Sequence, residues 1–217
     1  MKESRKQELD CLLEELRIED FGFSESVGFC AGHGCVRCYN LYRDETMDLS
    51  LFRLAPGTKI PMHAHPSMEI SCRVLFGTAR YESCDVTDEV IMRDGKKLRR
   101  MINHADCEGK GPHTHVVKPD EGNLHEITAV SDNGMAFFDI ITPSYSCKLP
   151  FYVKTEDGLL EEVECSHFGN CFQKKMVDYP GLPLDVKKFK AASVELTASE
   201  MELVANQKRS PWPHQGG

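Results

Sequence analysis

The sequence predicts an all-β domain, an antiparallel barrel or sandwich with short helical additions. Three observations predict it. Short apolar runs recur along the middle of the chain, at residues 70–76, 90–92, 116–117, 125–130 and 135–141. Turn signals separate them: Gly77, Asp94-Gly95, the stretch from Pro119 to Gly122, and the stretch from Asp132 to Gly134. Strands of this length, punctuated every ten residues or so, are the pattern of closed or double-layered antiparallel sheets. The length of 217 residues and a hydrophobic fraction of 41% suit one core of barrel size that needs no disulfide support.

Taken in order, residues 4–18 carry Leu9, Leu12, Leu13 and Leu16 among charges, a spacing that predicts a short amphipathic helix. Residues 19–46 are rich in glycine and cysteine and read as a loop with one extended piece. The first 46 residues are therefore expected to pack on a barrel spanning 47–183. In that barrel Leu49, Leu51 and Leu54 precede the turn Ala55-Pro56-Gly57. The polar stretch 94–111, basic at first, reads as a long loop. Extended character returns after Pro143 through Phe151-Tyr152-Val153, followed by the turn Tyr179-Pro180-Gly181-Leu182-Pro183. Residues 184–217 form an extension, with a final helix expected over 191–206 and a loose end around Trp212.

A formal charge of −8 argues against a nucleic-acid binder, which needs a basic face. No apolar run reaches the roughly 18 residues that cross a bilayer. The charged stretch from Met1 to Arg17 lacks the apolar core of a signal peptide, so the cytosol or nucleus is the expected location, and a monomer the expected state. There the ten cysteines stay reduced. Cys35 and Cys38 form a CxxC near Cys30, but no second ligand pair stands at a comparable spacing, so they read as loop cysteines. Cys72 and Cys84 read as buried, inert thiols.

The chemistry concentrates in Pro56-Gly57-Thr58-Lys59-Ile60-Pro61-Met62-His63-Ala64-His65-Pro66. Side chains alternate along a strand, so His63 and His65 project to one face and can share a divalent metal. His125, just after a Pro–Gly turn, is the best third ligand. Three imidazoles make a facial set with positions open for substrate and O₂. Several alternatives stand beside this. Glu69 has the strand parity of the two histidines and could be a fourth ligand. His104, Cys107, His113 and His115 could form a second site, or one of them could replace His125. Asp139, flanked by Phe137, Phe138, Ile140 and Ile141, is costly to bury without a partner. It reads as functional, or as a strand cap or a partner of Arg53 or Arg73. Tyr145 and Tyr152, on their own, read as core or rim aromatics.

These residues resemble the cupins. Gly57, His63, His65, Glu69 and Gly77 follow the first cupin motif with one extra residue before Gly77. Pro119, Gly122 and His125 follow the second, with Ala129 in place of its usual asparagine. More narrowly, His63-Ala64-His65-Pro66-Ser67-Met68, Arg73-Val74-Leu75-Phe76-Gly77 and Gly122-Asn123-Leu124-His125 resemble the cysteamine dioxygenase and plant cysteine oxidase family. So do Asp139-Ile140-Ile141-Thr142-Pro143-Ser144-Tyr145 and Tyr179-Pro180-Gly181. The likeness covers roughly residues 47–183.

The resemblance implies a cupin double-stranded β-helix and a thiol dioxygenase without an organic cofactor. Members hold Fe(II) on three neutral histidines, here His63, His65 and His125, and add both atoms of O₂ to a thiol to give the sulfinic acid. Their substrates are cysteamine or the N-terminal cysteine of a peptide or protein, the latter in oxygen sensing. Asp139 would orient a ligand histidine or the substrate amine, Tyr145 would place a hydroxyl near the site, and Tyr152 would line the pocket. The animal members' cysteine, two residues before a tyrosine, is Pro150 here, so their thioether link is not expected. Two other readings remain: a three-histidine, one-glutamate cupin acting on a non-thiol small molecule, and a cupin that binds metal or ligand without turnover.

Overall fold

The computed structural model describes residues 2–25, 34–145, 148–181 and 183–192. It opens with helix α1 (Lys2–Glu15) and a 3-10 turn (Ile18–Phe21). Strands β1 (Cys35–Arg43), β2 (Asp48–Leu54), β3 (Lys59–His63), β4 (Glu69–Phe76), β5 (Thr78–Val86), β6 (Ile91–Arg93) and β7 (Lys96–Lys110) follow. Then come β8 (His113–Val117), β9 (Leu124–Ala129), β10 (Met135–Thr142), β11 (Phe151–Lys154) and β12 (Leu159–Val163). A second 3-10 segment (Cys165–Cys171) leads to β13 (Gln173–Met176) and helix α2 (Val186–Ala192).

The strands form two sheets, ordered β13-β1-β2-β10-β4-β8 and β12-β11-β3-β9-β5-β7-β6. Only the β1–β13 pairing is parallel among these ladders. This is the cupin double-stranded β-helix. Its inner core lies between the sheets, where Leu54, Val74, Tyr81, Ile127 and Phe137 meet. Phe52 and Phe137 stack there with ring centres 4.8 Å apart.

The first sheet is covered on its outer face as well. Leu9 and Leu13 of α1, with Leu16, Ile18, Phe21 and Phe189, pack onto Leu49, Leu51, Phe138 and Ile140. Burial on both faces explains why β10 reads as a nearly continuous apolar run, while β2 is buried throughout although it carries Asp48, Ser50 and Arg53. The second sheet curls until β7 also pairs with β12. Its outward side chains Met62, Cys84, Leu124, Tyr152 and Leu160 thereby gain a cluster of their own.

Three expectations need correction. The stretch read as a loop over 94–111 is largely the fifteen-residue strand β7, whose side chains are mostly exposed and so carry no apolar alternation. Nothing in the sequence announces β5, because only Ala79 and Tyr81 point inward before the bulge at Ser83/Asp85 and the buried Cys84 lies on the other face. Cys35 and Cys38 are not loop cysteines. Both are buried in β1, a strand of the first sheet although it precedes residue 47. Of the helix expected over 191–206, only the first two residues fall within α2, and residues 193–206 lie outside the described residues, as do Cys30 and Trp212. No described helix is long and apolar enough to cross a membrane.

Candidate metal centre

His63 is the last residue of β3 and stands opposite His125 of β9 in the ladder. The chain leaves the strand at Ala64, and His65 turns back toward the same point. The Nε2 atom of His125 lies 3.2 Å from Nε2 of His63 and 3.2 Å from Nε2 of His65. The three rings meet edge to face, with centres 4.6–5.0 Å apart. Nitrogen–metal bonds of about 2.1 Å at right angles would put ligand atoms about 3 Å apart, so this spacing fits a facial set.

The proton inventory supports the fit. His63 donates its Nδ1–H to the Pro61 carbonyl at 2.8 Å, which leaves Nε2 as a bare lone pair aimed at the other rings. Burial pushes the His63 imidazolium down to about 4, and burial together with the neighbouring rings pushes His65 and His125 well below the ordinary range. All three are neutral at pH 7 and cannot relieve their mutual contact by taking up protons. Three neutral imidazoles converging through Nε2 are a donor set that a divalent cation can take up. These three residues are the one group of such ligands among the described residues.

Asn123 fixes the geometry from behind. Its Oδ1 accepts from the His65 backbone N–H at 2.8 Å, and its Nδ2 donates to the His65 and Lys118 carbonyls at 3.0 and 2.8 Å. One buried amide thus ties the segment carrying His65 to the turn that delivers His125. Gly122, with φ of +60°, lets that turn close, and its N–H donates to Asp85 at 2.7 Å. Asn123 lies in the Gly122-Asn123-Leu124-His125 motif, yet nothing in the sequence assigns it this clamp.

The rings open into a cavity between the sheets, walled by Val36, Phe52, Ile127, Phe137, Phe151 and Phe172. Three polar groups besides the histidines reach it: Asp139, Tyr145 and Lys174. Asp139 is raised to about 7, first by burial and then by the buried Asp48 on the neighbouring strand, opposed by the Cys72 thiol that donates to it. Its Oδ1 has no hydrogen-bond partner among the described residues. Behind it, the Tyr81 hydroxyl lies 3.6 Å from the Cys72 sulfur, forming a buried row that ends at the carboxyl group. Tyr145 sits with its ring 5.9 Å from that of His65, and burial pushes its phenol well above the usual range, so it stays a donor.

Other candidates fall elsewhere. Tyr152 does not enter the cavity. It alternates with Phe151, which faces His63 across the ladder, and so it packs with Met62, Cys84 and Leu124 on the opposite side of the sheet. This corrects its placement as a pocket residue. Glu69 opens β4 and lies outside the histidine group, because the turn at Pro66 and Ser67, with Ser67 at φ of +61°, breaks the parity that linked it to His65. His104 bonds to Glu82 at 2.6 Å, and His115 stacks on Tyr81 at 4.3 Å, so the described residues form no second cluster there. Arg53 and Arg73 are on the outer face, Arg53 over the Phe23 ring and Arg73 donating to the Glu14 carbonyl at 2.7 Å, so neither pairs with Asp139. Lys174 and Phe151 are cavity residues that the sequence did not single out. Phe151 was findable from its alternation with Tyr152, whereas Lys174 looked like any surface lysine.

Comparison with known proteins places this arrangement. The chain is 26% identical to plant cysteine oxidase 1 of Arabidopsis thaliana over 153 residues, covering 66% of this chain and 51% of that one. It is 32% identical to 2-aminoethanethiol dioxygenase of Mus musculus over 125 residues, covering 49% and 48%. It thus spans about half the length of the curated relatives it matches. Among solved structures, a double-stranded β-helix protein of Klebsiella pneumoniae superposes with a TM-score of 0.41 at 16% identity, covering 59% of this chain and 88% of that one. The PCO_ADO family model matches residues 12–159, which carry all three histidines together with Asp139 and Tyr145, and the chain belongs to that family.

Proposed function

We propose that the protein is a non-haem iron thiol dioxygenase. It converts an aminothiol, either cysteamine or the N-terminal cysteine of a peptide, to the sulfinic acid. The reaction balances as a thiol plus one O₂ giving one sulfinic acid, with both oxygen atoms on sulfur and the thiol hydrogen kept as the acid proton. The observation that carries this reading is the convergence of three neutral Nε2 atoms on one point, with no carboxylate among them, at the end of a largely apolar cavity.

His63, His65 and His125 would hold the metal. A ferrous ion there supplies the charge that lowers a thiol's pKa and the electrons that activate O₂. The rest falls to the chain. The aromatic wall excludes water. Asp139, buried and with one oxygen unpartnered, suits a substrate ammonium, whose charge would draw the carboxyl to its ionised form. Tyr145 offers a hydroxyl donor on the same side. Family membership supports iron over the other metals that imidazole accepts. O₂ and the thiol are the partners in this reading, which also keeps the monomeric, cytosolic or nuclear expectation.

The test is O₂ uptake by the iron-loaded protein with cysteamine and with a Cys-initiated peptide, followed by mass spectrometry of the product. The expected result is a gain of two oxygen atoms on sulfur and at least a roughly 100-fold loss in His125→Ala. Iron-loaded protein that turns over neither thiol would overturn the proposal and favour a ligand-binding cupin.

A further inference from the structure

Lys174 is the one cation among the residues lining the cavity, and it comes from a part of the chain outside the family match, which ends at residue 159. It stands on β13, the edge strand, opposite Val36 of β1. Its ammonium lies over the Phe52 ring, 5.3 Å from the centre, which points the side chain along the cavity wall. Among the described residues no carboxylate reaches it within ion-pair distance. Lys174 is exposed on β13, so its ammonium meets solvent as well as the cavity wall.

A lysine so placed is out of keeping with cysteamine. That substrate brings a thiol and an ammonium, and the ammonium would gain from Asp139 and lose to Lys174. A cysteinyl unit brings the same two groups plus a carbonyl or carboxylate attached to the carbon that bears the amine. With sulfur at the histidines and nitrogen at Asp139, the added oxygen is the one group left without a partner, and Lys174 is the one cavity group built only to donate. Resting on the proposed function, we infer that Lys174 is a specificity-determining residue that reads the carbonyl or carboxylate oxygen of a cysteinyl substrate and thereby selects cysteinyl thiols over cysteamine. The oxygen can belong to free cysteine or to the first carbonyl of a peptide. A carboxylate would gain more from the ammonium than an amide carbonyl.

The experiment compares the iron-loaded full chain with Lys174→Met and Lys174→Arg, using cysteamine, cysteine, and a Cys-initiated peptide amide. Steady-state turnover is measured in air, and binding by calorimetry without O₂. In Lys174→Met the ratio of kcat/KM for cysteinyl substrates to that for cysteamine should fall by about tenfold, through KM rather than kcat, because a charge-assisted contact at a wet rim is lost. Cysteamine should bind more tightly once the repelling charge is gone, the reverse of what general damage would cause. Lys174→Arg should keep most of the preference, and the calorimetric affinities should follow the same order. A loss confined to cysteine assigns the lysine to a free carboxylate, and a loss shared with the peptide assigns it to the carbonyl; either supports the inference. An unchanged ratio in Lys174→Met overturns it while leaving the thiol dioxygenase reading intact. No turnover of any thiol by the unaltered protein overturns both.

Discussion

At the residue scale the site depends on keeping three imidazoles neutral in an apolar place, and that has a cost without metal. Burial holds the His63 imidazolium at about 4 against an ordinary value of 6.5. Between those values the unfolded chain binds a proton that the folded chain refuses, so stability rises with pH across the window and is lost as pH falls through it. Metal-free protein should therefore show a lower urea midpoint near pH 5 than near pH 7.5, and equal midpoints would contradict the burial argument. Asn123 offers a second test. Asn123→Ala removes three hydrogen bonds that tie His65 to the His125 turn, and metal affinity should drop by about 10–100-fold while the fold is kept, as measured by competition with a chelator. The tyrosines separate in the same way. Tyr145→Phe should lower turnover, whereas Tyr152→Phe should leave it within about twofold, since Tyr152 packs behind the sheet. What was legible here follows from chemistry type: an HxH pair, a third histidine after a turn, and an aspartate within an apolar run all stand out in a sequence. A lysine on an edge strand does not, and Tyr152 was misplaced because the face it takes depends on register with His63.

At the element scale, β4 and β10 are legible because both faces are buried, whereas β5 and β7 are not, because one face meets solvent and a bulge or a run of charges hides the alternation, and the short β12 and β13 are not legible either. Helix α1 was legible because four leucines share one face, and its job is to cover the outer face of the first sheet. Leu13 is fully buried there, and Leu13→Ala should cost about 2–5 kcal/mol, read as a shift in denaturation midpoint, with the substrate preference of surviving protein unchanged. The turn after β4 is equally constrained. Gly77 has φ of +81°, and a Cβ would sit 2.3 Å from the Gly134 carbonyl oxygen, so Gly77→Ala should yield little folded protein in a soluble-expression assay. Normal yield and midpoint in that variant would show that the two turns do not meet as described.

At the scale of the whole molecule, the two sheets perform different tasks. The second delivers His63 and His125 from paired strands, and the first delivers Asp139 from β10. The cavity lies between the sheets, so no single element makes it, and a linear motif conveys its ligands but not its walls. Glu69, close to the histidines in sequence, opens β4 of the first sheet beyond the turn at Ser67 and is absent from the histidine group. The most direct test of the central claim is metal stoichiometry under anaerobic Fe(II) loading, measured by elemental analysis on the full chain and on His63→Ala, His65→Ala, His125→Ala and Glu69→Gln. One iron per chain is predicted, lost in each histidine variant and kept in Glu69→Gln; iron retained at full occupancy in His125→Ala would contradict it.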